Sequence, residues 1–491
     1  MKSKYILAIV GLPVLIYLSI FFSPTVEKNT PITTVKQRPN VLMIVVDDMN
    51  GYSSKDQYPL IQMPYLDKFR AQSINFVSAA CNVPICSPSR ASFLSGLFPH
   101  HTGGYFNGGQ AWNKSEVLQQ IRSLPECFKD NGYTTWGGGK LFHTPLEKAR
   151  EQQMWDNYPV FKGGFGPFGD EKFWQKGSRF RNIQPWEGPD TDFPDVKNAN
   201  AAVEFLQEEH DQPFFMFYGL WRPHSPYTAP KRFYELYDKA AITPPKGRTL
   251  KDLDDVPHLA TLLVDSLKNY QNDFALTDSL YLEFIHAYCA NSSFTDWNLG
   301  RVIETLDNSP YAENTIVVFF SDNGFHCGEK ERWGKSTLWE QADYVPMMIR
   351  TPQTKGATSK APVSLIDVYP TLIDYCDLKA PEHQLDGRSI VPLLSKPNKK
   401  WNYPSLTTYG VNYSSVRDAR YRYLLYPDGT EELYDYETDP FEQNNIAALP
   451  KMKKIKAELA KHIPNEWAPI TGGRLSVRRK FEDVMREPMS K

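Results

Sequence analysis

Four short strand-like segments, each ending in polar residues that can bind an ion, constrain the fold of this chain most strongly. Segments with helical periodicity, residues 198–210 and 294–308, lie among them. Strands that alternate with helices favour an α/β fold with a large, mostly parallel sheet covered by helices on both faces. The four strand-like segments are Pro39–Asp48, Gly132–His143, Gln212–His224 and Asn314–His326.

The polar residues at the ends of these segments predict one shared pocket. In open α/β sheets, ligands bind outside the carboxyl ends of the strands, so side chains that follow different strands meet there. Asp47-Asp48 and Asp322-Asn323 offer three carboxylates and one amide oxygen, which are hard donors that favour Ca²⁺ or Mg²⁺ over zinc. A lone aspartate pair is as easily a turn or a helix cap, but a second acid–amide pair after a second strand favours a metal site.

Cationic residues follow the other strands and indicate an anion pocket. Lys140, His143 and His224, with Lys335 further along the chain, are the candidates. Each residue taken singly is as easily a surface or structural residue, and the shared position at strand ends is the reason to group them. The glycines before Lys140 lack the spacing of a P-loop, which argues against a nucleoside triphosphate site.

A cysteine in the stretch "VPICSPSRASFLSG" carries the next prediction. Ser87 is typical of an N-cap, Pro88 suits the first helical position, and Gly96 can end the helix. Cys86 would then lie just outside the positive end of a short helix, which attracts anions. Arg90, about one turn further on, could point back to the same place. The alternative is a buried structural thiol on an ordinary helix.

Composition and cysteine usage narrow the function classes. The formal net charge is −2, so no global charge recruits nucleic acid or an anionic membrane, and we expect no nucleic-acid partner. Six cysteines without a CxxC pair exclude a zinc site or a disulfide scaffold, although one or two disulfides are possible.

The two ends of the chain differ in texture from the middle. Residues 1–22 combine two lysines with an apolar run and predict a signal peptide or an N-terminal anchor, hence an exported, periplasmic or extracellular protein. Residues 23–38 are typical of a polar tether. We expect a catalytic domain over 39–400 and a C-terminal α+β subdomain over 401–491, with two or three strands in 414–440 and a helix over 449–463.

The residues now carry a family resemblance. "CSPSRASFLSG" resembles the type I sulfatase signature C-x-P-S-R-x-x-x-L-[ST]-G, and "VLMIVVDDMNGY", "GGGKLFH", "WRPHSPY" and "SDNGFHCGEKERWGKSTLWEQADYVPMMI" resemble the same family in the same order. The resemblance implies the alkaline phosphatase-like sulfatase fold. "GKLFH", "RPHSPY" and "YELYD" are most similar to iduronate-2-sulfatases and their bacterial relatives. Those enzymes have Asp-His where this chain has Asp322-Asn323.

The resemblance also implies a role for each matching residue. Cys86 would be oxidised to formylglycine (3-oxoalanine) by a formylglycine-generating or sulfatase-maturing enzyme, and would ligate one Ca²⁺ together with the two acid-containing pairs. Arg90 and Lys140 would stabilise the formylglycine hydrate, and His143 would assist at its second hydroxyl. Lys335 and His224 would hold the sulfate, with His224 as proton donor to the departing alcohol.

The expected substrate is a sulfated carbohydrate, possibly one that contains a uronate. Residues expected to face the sugar, each of which is as easily structural, are His100, His101, Trp112, Trp221, His326, Arg332 and Trp333. Two alternatives remain open: a phosphodiester or phosphonate monoester hydrolase of the same superfamily, or a sulfated-glycan-binding protein in which Cys86 stays unmodified. The sequence leaves the oligomeric state undetermined.

Overall fold

The computed structural model describes residues 38–107, 111–158, 163–173, 178–249, 251–268 and 278–471. The predicted signal or anchor segment, and all of the predicted tether except Arg38, lie outside the described residues. Within those residues, no helix combines the length and the apolar character needed to cross a membrane.

The described residues form seventeen strands and fifteen α-helices, numbered here in chain order. The strands are β1 Asn40–Asp47, β2 Ile74–Phe76, β3 Ala79–Ala80, β4 Thr134–Gly139, β5 Ile183–Trp186, β6 Phe214–Pro223, β7 Tyr227–Pro230, β8 Thr315–Ser321, β9 His326–Cys327, β10 Trp333–Gly334, β11 Met347–Arg350, β12 Ala357–Ser359, β13 Val363–Ser364, β14 Ser405–Thr408, β15 Ser414–Arg417, β16 Tyr421–Leu425 and β17 Glu431–Asp435. The helices are α1 Pro64–Ala71, α2 Cys86–Ser95, α3 Pro99–Thr102, α4 Ala111–Lys114, α5 Glu116–Gln120, α6 Leu124–Asp130, α7 Lys148–Met154, α8 Pro194–Gln207, α9 Lys231–Tyr234, α10 His258–Lys268, α11 Asp278–Asp307, α12 Glu340–Asp343, α13 Val368–Cys376, α14 Val391–Ser395 and α15 Lys453–Ala460.

The central sheet confirms the predicted α/β architecture. Its seven strands run in the order β12-β2-β11-β8-β1-β6-β4. Strands β8, β1, β6 and β4 are mutually parallel, and β11 is antiparallel to both of its neighbours. All four strand-like segments of the sequence therefore lie side by side, so their carboxyl ends meet at one edge of the sheet.

Strand β1 shows why this sheet is covered on both faces. Val41, Met43 and Val45 pack into one hydrophobic cluster with α2, α6 and α13. The alternating residues, Leu42 and Ile44 among them, pack into a second cluster with α1, α8 and α11. Because successive side chains of a strand point to opposite faces, a continuous apolar run requires a cover on each side.

The C-terminal part confirms the predicted antiparallel sheet and helix. Strands β14 to β17 form one four-stranded sheet in sequence order, so one strand precedes the three predicted ones. The predicted helix over 449–463 is realised as a 3₁₀ turn, Pro450–Met452, followed by α15. Leu338 and Trp339 share a buried cluster with Tyr413 and Leu424, which joins this sheet to the rest of the structure. The domain boundary near residue 400 stays a prediction.

All six cysteines lie in the described part of the chain, and each is a buried free thiol. The disulfides that the sequence allowed are therefore not formed in this structure.

Candidate active site

Cys86 is the first residue of α2, and the predicted cap of that helix is wrong. The N-cap is Ile85, and Ser87 lies inside the first turn, where its hydroxyl makes no hydrogen bond to the described residues. The side chain of Asn107 instead accepts a hydrogen bond from the backbone N–H of Ser87 at 3.0 Å. Gly96 adopts the left-handed conformation with φ of 70° and ends the helix as predicted.

The polar residues at the strand ends converge as the strand order requires. Asp47 is the last residue of β1, and Asp322 follows β8 on the neighbouring strand. Lys140 follows β4, and His224 follows β6. The side chains of Asp47, Asp322 and Lys140 are all fully buried.

Cations and carboxylates alternate around Cys86. Lys140 forms an ion pair with Asp47 and lies 3.8 Å from Asp322. Lys335 forms an ion pair with Asp48. The Cys86 Sγ lies 3.2 Å from Asp47 Oδ1 and 2.6 Å from Lys335 Nζ.

Arg90 connects α2 to the segments that follow β4 and β8. Its Nε donates to Asp322 Oδ2 at 2.7 Å, and its Nη1 donates to the backbone carbonyls of Lys140 and Leu141. Its Nη2 is buried and makes no hydrogen bond to the described residues. Arg90 therefore lies at the site, as expected, where it contacts Asp322 and the backbone after β4.

The residues around Cys86 are consistent with a site for a divalent metal ion. Ligand atoms of Asp47, Asp48, Cys86 and His224 lie within 4.8 Å of one another. Asn323 Nδ2 donates to Asp48 Oδ1 at 2.7 Å, and its Oδ1 is buried without a hydrogen bond to the described residues. An amide oxygen left free beside carboxylates is a suitable ligand for an oxygen-preferring ion.

Electrostatics distinguish the two neighbouring aspartates. Burial raises the pKa of Asp47, but Lys140 and the other cations around it outweigh burial and hold the pKa well below its ordinary value. Burial and the carboxylates of Asp47 and Asp322 raise the pKa of Asp48 to about 7, against the opposing effect of Lys335. Burial, reinforced by Asp47, raises the pKa of the Cys86 thiol well above its ordinary value.

The two site histidines are held differently. His224 Nδ1 contacts the Ser225 carbonyl at 2.5 Å, and its Nε2 lies 3.6 Å from Asp48 Oδ2. Burial lowers the pKa of His224 to about 3. Burial and Lys140 lower the pKa of His143, whose Nδ1 is buried without a hydrogen bond to the described residues.

Three residues around the site adopt left-handed backbone conformations. Their φ values are 63° at Asp48, 67° at His143 and 74° at Ser336. Such a conformation costs about 1–3 kcal/mol for a residue with a side chain and persists where the surroundings demand it. All three residues line the same cavity.

That cavity, of about 400 Å³, opens onto the cluster. Asp48, His143, His224 and Lys335 line its polar part. Aromatic side chains form much of the remaining wall, namely Phe165, Phe180, Tyr227, Phe284, Phe325 and Trp333. Phe165 comes from the Gly/Phe-rich segment after residue 162, and its ring lies 4.4 Å from that of His224.

Two of the seven predicted sugar contacts, Arg332 and Trp333, line this cavity. The other five residues are not among those that line this cavity, and their contact with the sugar stays a prediction. His100 stacks on Phe98, and His101 pairs with Asp386 at 2.7 Å. Buried Trp112 packs against Phe142, and Trp221 packs against Phe165. The fully buried His326 places its Nε2 2.8 Å from Thr337 Oγ1.

Sequence reasoning missed several residues of the cavity. Tyr227 stands in the quoted "WRPHSPY" stretch, three residues after His224, so its position was a usable signal. Phe325 likewise stands two residues after Asn323 in the quoted "SDNGFH" stretch. Arg181 and Phe284 carry no such signal, because segments distant in sequence bring them to the cavity.

Comparisons with known proteins agree with this geometry. The sulfatase family profile matches residues 39–378, and the profile of the C-terminal part of N-sulphoglucosamine sulphohydrolase matches residues 328–468. A sulfatase of Formosa agariphila is 35% identical over 94% of this chain and 92% of its own length. A choline-sulfatase of Rhizobium meliloti is 28% identical, covering 84% and 83% of the two chains, and an ulvan-active sulfatase of Formosa agariphila is 25% identical, covering 88% and 82%.

Solved structures show the same fold. A solved structure in complex with its substrate D-glucosamine-2-N,6-O-disulfate has a TM-score of 0.67 and 22% identity, covering 87% of this chain and 96% of its own. A phosphonate monoester hydrolase of Silicibacter pomeroyi has a TM-score of 0.71 and 20% identity, covering 86% and 94%. At these identities the likeness concerns the fold alone, and the family follows from the profile match and the 35% identical relative. This chain therefore belongs to the sulfatase family and is a sulfuric ester hydrolase.

Proposed function

We propose that this enzyme removes sulfate from a sulfated carbohydrate, with Cys86 converted to formylglycine and one Ca²⁺ bound. The observation that carries the proposal is the position of Cys86 at a helix start, with its sulfur within 3.2 Å of Asp47 and 2.6 Å of Lys335. The choice of a carbohydrate as the substrate is supported by similar proteins, among them the ulvan-active sulfatase and the structure that holds a disulfated glucosamine.

Five residues would hold the metal, namely Asp47, Asp48, Asp322, Asn323 and modified Cys86. Conversion of Cys86 replaces its sulfur by oxygen, so the set becomes all-oxygen, which suits Ca²⁺. A bound Ca²⁺ would supply charge stabilisation to the ester oxygens.

The formylglycine hydrate would supply the oxygen nucleophile for sulfur, and the chain's own residues would prepare the site for it. A sulfate ester is a stable monoanion, so attack requires neutralisation of negative charge more than a strong base. Lys335 Nζ, beside the Cys86 position and on the cavity wall, is placed to hold the sulfate oxygens. Lys140 lies deeper, against Asp47, where its charge balances the buried carboxylates.

His224 is the proposed proton donor to the departing alcohol. Its Nδ1 is engaged by the Ser225 carbonyl, which fixes the ring, and the residue lines the cavity. A neutral imidazole cannot donate from Nε2 in this arrangement, so the ring must be protonated in the substrate complex, where the negative sulfate favours the charged form.

Export is part of the proposal, because residues 1–22 have the composition of a signal or an anchor. Fractionation of the native host, with N-terminal sequencing of the recovered protein, tests it. Recovery of the full-length chain from the cytoplasm alone would contradict export.

Two measurements test the chemistry. Peptide mass spectrometry of active protein from its native source should find the Cys86 peptide about 18 Da lighter than the unmodified peptide, and an unshifted peptide would sink the mechanism. A panel of sulfated oligosaccharides of defined linkage, run beside an aryl sulfate and an aryl phosphodiester under Ca²⁺ and under Mn²⁺, tests the reaction. Faster diester cleavage would favour the phosphodiester or phosphonate alternative.

A further inference from the structure

The charges that line the active cavity do not balance. Among its described lining residues, the one carboxylate is Asp48, and Lys335 already forms an ion pair with it. Arg332 also lines the cavity. A monoanionic sulfate ester would meet Lys335, which leaves the positive charge of Arg332 without a counter-charge among the described lining residues.

The guanidinium of Arg332 is buried and only partly hydrogen-bonded. Its side chain is buried, at 2% exposure, and its Nε and Nη2 both donate to the Lys335 carbonyl, the first at 2.9 Å. Its Nη1 is buried and makes no hydrogen bond to the described residues. Burial lowers the pKa of this guanidinium to about 9. The groups that oppose this effect are Tyr409 and Tyr413, and no carboxylate is among them.

Three other buried arginines, Arg90, Arg222 and Arg422, are compensated. Arg90 and Arg422 each form ion pairs with buried carboxylates. Arg222 forms no such pair, but all three of its guanidinium nitrogens donate to backbone or hydroxyl oxygens. Burying a charge without a partner is unfavourable by several kcal/mol, so an uncompensated arginine on a ligand cavity indicates that the ligand supplies the anion.

Resting on the proposed function, we propose that Arg332 binds a second anionic group of the substrate, a carboxylate or a second sulfate on the sugar that carries the scissile sulfate. A guanidinium presents paired donors that match the oxygens of either group. Trp333, the next residue, lines the same cavity and offers an apolar wall to the sugar. The substrate class is therefore a sulfated sugar with at least two negative charges.

The test compares three substrates that share one sugar scaffold: a monoanionic monosulfate with no other charged group, the same monosulfate with a uronate carboxylate, and a disulfate. The wild-type enzyme should prefer one or both dianionic substrates in kcat/KM. Arg332→Gln should lower kcat/KM for the preferred dianionic substrate by about 30-fold or more, mainly through KM, and change kcat/KM for the monoanionic monosulfate by less than about threefold. The dianionic substrate on which Arg332→Gln loses activity identifies the anionic group that Arg332 binds, a carboxylate or a second sulfate.

The matched control is Lys231→Gln, which removes one positive charge from an exposed side chain on α9, outside the cavity lining. It should leave all three rates unchanged. Equal losses on all three substrates in Arg332→Gln would overturn the inference, because they would mean that Arg332 only holds the Lys335 carbonyl. If Arg332→Gln does not fold, the substrate preference of the wild-type enzyme decides. Equal kcat/KM for the monoanionic and the dianionic substrates overturns the inference. No hydrolysis of any sulfated sugar would instead overturn the proposed function, and this inference with it.

Discussion

Arg90 Nε donates to Asp322 Oδ2 at 2.7 Å, and both side chains are fully buried. Arg90 lies on the helix that starts with Cys86, and Asp322 follows the strand beside β1. The pair therefore sets the distance between the cysteine and the proposed metal ligands. In this structure Arg90 acts on Asp322 and on the Lys140 backbone, which makes it a positioning residue in addition to any contact with the modified side chain.

Loss of this ion pair should destabilise the protein and weaken metal binding together. Asp322→Ala leaves Arg90 buried without its carboxylate, so we expect a loss of about 3–5 kcal/mol in the free energy of unfolding. The variant should also lose bound Ca²⁺, measured by metal analysis after gel filtration. Asp307→Asn, which breaks a partly exposed pair with Arg350, is the control and should cost less than about 1 kcal/mol. Full metal content in Asp322→Ala would contradict the ligand assignment.

Replacement of Cys86 should abolish turnover without unfolding the protein. Cys86→Ala removes the group that is to be oxidised, and Cys86→Ser gives at best an alcohol that would become trapped as a stable sulfate ester. Both variants should retain the wild-type thermal unfolding temperature within about 2–4 °C, because a small buried side chain is replaced by one of similar size. Measurable multiple turnover by Cys86→Ala would refute the assignment of the nucleophile.

The loss of activity on replacement of His224 should depend on the leaving group of the substrate. His224→Ala should reduce the rate on an unactivated sugar sulfate by about 10²–10⁴-fold, which is the usual contribution of a general acid. An aryl sulfate has a leaving group that departs without a proton, so its rate should fall much less. Paired kcat measurements on the two substrates decide the matter, and equal losses would reject the role of proton donor.

A buried network between the C-terminal sheet and α12 should be a major source of stability. Arg422 on β16 forms ion pairs with Glu340, Asp343 and Glu442. Arg422→Ala leaves Asp343 and Glu442 buried without their cation, while Glu340 keeps Lys55 and Arg417, so we expect a loss of about 3–5 kcal/mol. Arg420, on the approach to the same strand, pairs with Asp435 with its own side chain 43% exposed, and Arg420→Ala should change stability little. Denaturant unfolding of the two variants side by side would show no difference if the network were unimportant.

Much of the active-site geometry was predictable because it depends on strand order and periodicity. The strands that end in Asp47, Gly139, Pro223 and Ser321 are parallel neighbours, so the polar residues at or after their ends must meet at one sheet edge. The cap of the Cys86 helix was not predictable, because Asn107 reaches it from outside the helix. The contact of buried His326 with Thr337 was not predictable for a related reason: residues next to a motif pack inward or outward according to neighbours that the local sequence does not reveal.

The sequence by itself determined the alternation of strands and helices, the residues at the strand ends and the cysteine motif, because these depend on local periodicity and on residue type. Only the tertiary structure decided which side chains surround the cavity and which charges there lack a partner. Arg332 illustrates the difference, since the presence of an arginine beside Trp333 is visible in the sequence. The missing carboxylate is a property of every element packed around that arginine, and long-range packing sets those neighbours.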